Sequence, residues 1–246
     1  MAALTALLAL GQREIVTIVG SGGKTTLLWY LAAAYRRQRV LVTTTTKVRP
    51  PEPTQYDLFC DSGSLMARRV TAGIAFAADP AEGADGAKGK LRTLPPEVLV
   101  AAAPLYDKVL IEGDGSRNLP LKAWADYEPV VPEITTCTIG VLPLWPLGRP
   151  VSAAIIHRLP LFCQVSGAKE GERLTPRQLI DVVTHPAGLM KGSRGRRVLF
   201  INQVENQAGK QVAAEFLALL PSAFIKGLAL VIVGSTLLDE GEILWR

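Results

Sequence analysis

Seven consecutive residues, Gly20-Ser21-Gly22-Gly23-Lys24-Thr25-Thr26, carry the parts needed to hold a chain of phosphates. Glycines let a backbone turn so tightly that successive N–H groups point at one anion, and a following helix start and a lysine add positive charge. In this reading Gly20, Gly22 and Gly23, with Ser21 between them, form the cradle. Lys24 reaches the β and γ phosphates, Thr25 ligates magnesium, and Thr26 places a hydroxyl near the α phosphate. An ordinary glycine turn is the plainer alternative. Context favours the phosphate reading, because a β-branched run precedes the loop and a helix-forming stretch follows it, as the mechanism requires.

Ligands of parallel sheets collect beyond the carboxyl ends of the strands, which draws attention to two further segments. One is Thr43-Thr44-Thr45-Thr46; the other is Glu112-Gly113-Asp114-Gly115-Ser116. Glu112 and Asp114 are expected to hold magnesium directly or through water, since a hard cation that bridges phosphates takes carboxylate oxygens and keeps part of its hydration. Thr45 joins them as a hydroxyl that orders those waters. Strand propensity accounts for Thr43 and Thr44 without chemistry, and a tight acidic turn is the alternative for the second segment.

These residues need elements to position them. Residues 15–19 read as a strand, 25–37 as a helix and 40–46 as a second buried strand, which completes a βαβ unit. A short helix over 64–70, strands over 74–77 and 108–112, and a helix from Pro95-Pro96 to Ala103 follow. The Gly-, Ala- and Asp-rich stretch 79–90 reads as a mobile surface loop. Residues 118–132 form a proline-bounded loop, 136–142 a strand, and 151–165 a helix interrupted at Pro160. Thr175 caps a helix that has Pro176 in its first turn. Residues 198–202 and 229–233 read as strands flanking a helix over 209–220. The expected fold is therefore α/β, like the P-loop NTPases: a doubly wound, mostly parallel sheet with helices on both faces. One domain, 1–246, is expected, with 118–195 as an elaboration beside the site.

Composition narrows the function classes. At 246 residues and 48% hydrophobic, the chain supports a large core and is not disordered. The net charge of +5 comes from scattered basic residues without a nucleic-acid reading motif, so no nucleic acid is expected as partner. Cys60, Cys137 and Cys163 are sparse and odd in number, which suits a reducing, cytoplasmic setting. Each reads as a buried inert thiol. The apolar opening, residues 1–10, reads as a short core helix, and no run approaches the roughly 20 apolar residues of a membrane span.

The strict phosphate-loop pattern places a glycine where this chain has Ile18, and the shorter Gly-x-x-Gly-Lys-Thr-Thr form resembles the loop of the Mur ligases, which bind ATP with it. Taken together, GSGGKTT, VLVTTTTK, IEGDGSRNLPLKAWADYEPVVP, the His157-Arg158 pair and HPAGLMKG resemble the selenium-dependent hydroxylase accessory protein family called YqeC, over about residues 15–206. The resemblance implies a cytoplasmic accessory protein for maturing selenium-dependent molybdenum hydroxylases, with such a hydroxylase or its cofactor as partner. Among the matched positions, Arg117 and Lys122 are expected to neutralise phosphate or a substrate anion, or to be solvated loop charges. Glu128 is an acid or a turn residue. His157, beside Arg158, is a proton carrier or a satisfied core histidine.

Asn202-Gln203-Val204-Glu205 follows a late strand where a GTPase would carry Asn-Lys-x-Asp, with Gln and Glu substituted, so Asn202 is an expected nucleotide contact and ATP or GTP both remain open. Three activities follow. The first is hydrolysis or phosphoryl transfer, with Lys24, Glu112, Asp114 and Arg117 and the magnesium ion stabilising developing charge. The second is a nucleotide-gated carrier or chaperone with little turnover. A Mur-like, acyl-phosphate-forming ligase is the third.

Overall fold

Strands that are apolar on both sides need cover on both faces, and this chain meets the need by alternating strands with helices. The computed structural model describes residues 2–68, 70–81 and 89–246. It opens with α1 (Leu4–Leu8), β1 (Glu14–Gly20), α2 (Lys24–Ala34) and β2 (Arg39–Thr44). β3 (Leu58–Cys60), β4 (Gly73–Ala77), the short β5 (Asp79–Pro80) and β6 (Leu91–Arg92), α3 (Pro96–Ala102) and β7 (Lys108–Glu112) follow. Next come β8 (Leu121–Lys122), β9 (Cys137–Pro143), β10 (Ile156–His157), α4 (Leu159–Ser166) and α5 (Pro176–Thr184). The chain ends with β11 (Arg196–Asn202), α6 (Gln207–Leu219), α7 (Ser222–Lys226), β12 (Leu230–Ser235) and β13 (Glu240–Trp245).

The large sheet runs β13-β12-β11-β9-β1-β7-β2-β4-β3, parallel throughout except for β12 against β13. Beyond β1 the chain builds one side of the sheet, inserts β7 between β1 and β2, and then crosses to build the other side from β9 outward. The winding thus reverses beside β1. In doubly wound sheets the crevice outside the strand ends at such a reversal is where ligands bind.

Alternation along each strand supplies both faces. Val198 and Phe200 of β11 pack in a cluster with Leu4 of α1 and Leu27 and Leu31 of α2, whereas Leu199 and Ile201 pack with Phe162, Leu179 and Phe216 of α4, α5 and α6. Leu41, Val109 and Ile111 meet Leu99 and Ala102 of α3 in a third cluster. The doubly wound, mostly parallel fold expected from the strand and helix pattern is the one observed. Residues 118–195 do more than elaborate it: β9 lies in the middle of the sheet, and Leu121, Trp124 and Phe162 share a cluster with Ile201 and Phe216. No helix among the described residues is long and apolar enough to cross a membrane.

Three local readings need correction or limits. Instead of a helix over 64–70, the described residues make turns held by Asp61, which accepts from the Ser64 N–H at 2.8 Å and, through its carbonyl, from Leu65. An Asp-Ser-Gly-Ser run satisfies its own amides locally and has no need of a helix. Pro160 opens α4 instead of interrupting a longer helix, since a residue without an N–H fits a first turn and not an interior; Ile156 and His157 pair with β8. Most of the expected mobile loop, 82–88, lies outside the described residues, and its flanks pair as β5 and β6. The Thr175 cap is as expected, completed by Gln178 in a capping box.

A shared core predicts shared unfolding. Phe162→Ala, at a fully buried site in α4, is expected to cost about 3–5 kcal/mol and to shift a single cooperative transition. A separate early transition in urea, with the sheet intact, would show that the second half folds as its own unit.

Candidate functional site

The loop between β1 and α2 turns as its glycines demand. Gly22 and Gly23 sit at φ 74° and 114°, and a Cβ there would collide with the Pro143 ring and with the Asn202 side-chain amide, respectively. The Ser21 N–H donates to the Val141 carbonyl at 3.1 Å, fastening the loop to β9. No side chain caps α2, so its first-turn N–H groups are left for another acceptor. Gly22, Gly23, Lys24, Thr25 and Thr26 line a cleft whose other wall includes Ser116, Asn118, Trp145 and Gln203.

Lys24 is buried, and its ammonium donates to the Gly20 carbonyl at 2.6 Å while lying 3.4 Å from Asp114 Oδ1. Thr25 donates to Glu112 Oε1 at 3.1 Å, so the hydroxyl and the carboxylate expected to share magnesium are brought together. Burial pushes the Glu112 carboxyl above the usual carboxylate range, against the pull of the Lys24 charge and the Thr25 hydroxyl. This pair offers hard oxygen donors, the chemistry magnesium takes. Among the described residues no cluster of three or more His, Cys, Asp or Glu side chains is placed to hold a metal by itself.

Asp114 sits elsewhere in the arrangement. It is fully buried, and its carboxylate accepts from the Gly20 N–H at 3.1 and 3.2 Å and from Trp124 Nε1 at 2.6 Å, while Lys122 Nζ lies 3.0 Å from Oδ2. Lys122, with no exposed side chain, also donates to the Gly115 carbonyl at 2.6 Å and to Glu128 Oε2 at 3.0 Å. Arg158 Nη2 closes the chain at 3.1 Å from Glu128 Oε1, and its guanidinium stacks on Tyr127, 5.4 Å from the ring centre. An unbroken line of alternating charges, Lys24–Asp114–Lys122–Glu128–Arg158, therefore leads from the phosphate loop into the second half of the chain.

His157 stands beside this line, its Nε2 3.3 Å from Arg158 Nη1. Burial and the nearby charges of Arg158, Lys122 and Arg117 depress it to about 4, so it is neutral at ordinary pH. Arg117 and Asn118 both hold positive φ, at 52° and 61°, on the turn beside the cleft. The remaining expected site residues serve the scaffold. Thr45 is spent on backbone carbonyls: its hydroxyl donates to Val130 at 2.9 Å and to Glu112 at 3.3 Å, and its N–H donates to Glu112 at 3.0 Å. Asn202 is turned to the protein: Nδ2 donates to the Gly22 carbonyl at 3.0 Å, and Oδ1 accepts from the N–H and hydroxyl of Thr236, each at 3.0 Å. Burial raises all three cysteines, Cys137 to about 11, which leaves them poor nucleophiles.

Trp124, Trp145 and Thr236 entered no sequence expectation. Trp145 lies two residues past β9 at the carboxyl edge of the sheet, and that position alone would have marked it once β9 was placed beside β1. The contacts of Trp124 and Thr236 carry no sequence signal, because their partners are polar groups on other elements.

The family model described as YqeC protein matches residues 16–160. The chain is 34% identical over 196 residues to the uncharacterized protein YqeC of Escherichia coli (strain K12), covering 77% of this chain and 75% of that protein. No solved structure matches.

Two measurements test the charge line. Lys122→Ala, which takes the shared ammonium from two buried carboxylates, is expected to cost about 3–5 kcal/mol in urea unfolding, and a loss near zero would mean that the remaining donors and water replace it. For His157, the unfolded chain takes up a proton near pH 6.5 and the folded chain only near pH 4. Stability is therefore full above 6.5 and is lost as pH falls from 6.5 toward 4. His157→Gln should flatten that part of the stability profile, and an unchanged acid limb would remove His157 as its cause.

Proposed function

We propose that this chain, which belongs to the YqeC family, binds a magnesium nucleoside triphosphate at the Gly20–Thr26 loop and uses it as an accessory factor in maturing selenium-dependent molybdenum hydroxylases. The observation that carries nucleotide binding is the loop itself. Glycines at positive φ, an uncapped helix start, a buried lysine and a Thr25–Glu112 pair converge at the winding reversal of the sheet. The maturation role follows the family resemblance.

In this reading the first-turn amides of α2 and the backbone of residues 22–24 take the phosphate oxygens, and Lys24 supplies charge to the terminal phosphates. Thr25 and Glu112 hold magnesium, which would neutralise charge on the phosphoryl group being transferred. Arg117, exposed on the strained turn beside the cleft, would meet charge that develops at the far side of the phosphates. Catalysis of this kind is positioning and charge stabilisation, with ATP or GTP as fuel.

The charge line favours a gated form of the same activity. Lys24 now rests on Gly20 and Asp114, so a phosphate that draws the ammonium away leaves Asp114 to Lys122, Trp124 and the Gly20 N–H. Nucleotide binding is thereby coupled to Lys122, Glu128 and Arg158, which would let the protein act as a nucleotide-gated carrier for the hydroxylase or its cofactor.

Titration calorimetry with magnesium ATP and magnesium GTP tests the reading. Lys24→Ala is expected to weaken binding about 10- to 150-fold, the scale of one lost charged hydrogen bond. The exposed Thr25→Ala should remove the magnesium dependence of binding while leaving the fold unchanged by circular dichroism. Wild-type affinity in both variants would end the phosphate-loop assignment.

A further inference from the structure

The phosphate loop forms only one wall of its cleft. A cavity of about 300 Å³ extends from Gly22–Thr26 to Trp145 and Gln203, and the triphosphate reading gives that second wall no task. Trp145 is 46% exposed there, a large planar surface left in water at the carboxyl edge of a central strand. The ring is nevertheless fixed. Its Nε1 donates to Gln203 Oε1 at 2.8 Å, and the Arg149 guanidinium covers it 5.0 Å from the centre.

What fixes the indole also fixes the loop. Gln203, at φ 64°, follows Asn202, whose amide grips the Gly22 carbonyl, and Gly22 in turn abuts Pro143, two residues before Trp145. Phosphate cradle and indole are therefore held in one rigid frame built from the ends of β1, β9 and β11. A ligand that fills the cleft needs anionic charge at one end and a flat aromatic group at the other, which is the shape of a nucleotide.

We propose that Trp145 is the nucleobase platform of this site: the base of a purine nucleotide stacks on the indole face opposite Arg149, with Gln203 at its edge. The proposal rests on the phosphate-loop reading and adds the base subsite to it. Stacking recognises a π-face and not a hydrogen-bonding edge, so it gives affinity with little choice between bases. Asn202 is buried, with Nδ2 on the Gly22 carbonyl and Oδ1 filled by Thr236, and presents no exposed edge to add such a choice. ATP and GTP should accordingly bind within a few-fold of each other.

The experiment compares magnesium ATP, magnesium GTP and inorganic tripolyphosphate by calorimetry on the intact protein, Trp145→Ala and Trp145→Phe. Trp145→Ala is expected to weaken both nucleotides about tenfold or more, and Trp145→Phe much less, with tripolyphosphate affinity unchanged in both. Nucleotide should also quench the indole emission of the intact protein more than tripolyphosphate does, and Trp145→Phe should lose that difference. Equal nucleotide affinity in Trp145→Ala overturns the proposal. So does an equal loss for tripolyphosphate, which would make Trp145 a support for the loop. If the intact protein binds tripolyphosphate as tightly as nucleotide, the platform falls and the phosphate loop stands. If it binds none of the three, the phosphate loop falls as well.

Discussion

Asp114 is a carboxylate with no water to turn to, and the site is arranged around satisfying it. Taking such a charge into the interior costs several kcal/mol unless fixed donors replace its hydration. Here the donors come from the Gly20 backbone, the Trp124 indole and two lysines. They come from two stretches of chain, Gly20 and Lys24 from the glycine loop and Lys122 and Trp124 from β8 and just after it, so meeting the needs of one carboxylate locks both to the turn after β7. A loop of glycines has little stiffness of its own; it gains it from this anchor and from Val141, Pro143 and Asn202 around it.

The sheet order gives that anchor its place. With β7 on one side of β1 and β9 on the other, the ends of three adjacent strands deliver Glu112 and Asp114, the glycine loop, and Trp145 to one edge. Helices on both faces make this possible, because they allow every strand in the centre to be apolar and leave the polar work to the loops. The short β8 and β10 bring Lys122 and His157 alongside one another, which is how a region that is only partly sheet still contributes buried charge to the site.

Alternating charges in a line carry a consequence that isolated ion pairs do not. Removing or attracting any one member changes the field on its neighbour, and low local polarity keeps that effect from being screened. Lys24 at one end faces the cleft, while Arg158 and Tyr127 at the other end face the surface. The cleft is thus linked by contact to Tyr127, an exposed residue in the second half of the chain.

What the sequence determined by itself was local. Strand, glycine loop, lysine and helix follow one another directly, so that unit and the central strands were legible from residue type and spacing, as was the Thr175 cap, whereas the edge strands β3 and β13 and the two-residue strands were not. That Glu112 lies at the same edge as the glycine loop followed from one general rule, that strand ends share an edge. Only the tertiary structure decided which polar groups spend their capacity on protein. Asp114 meets Gly20 across 94 residues and Asn202 meets Gly22 across 180, and no local pattern encodes such partners. For that reason Asp114 became an anchor, Asn202 a brace, and an unremarked tryptophan the wall opposite the glycine loop.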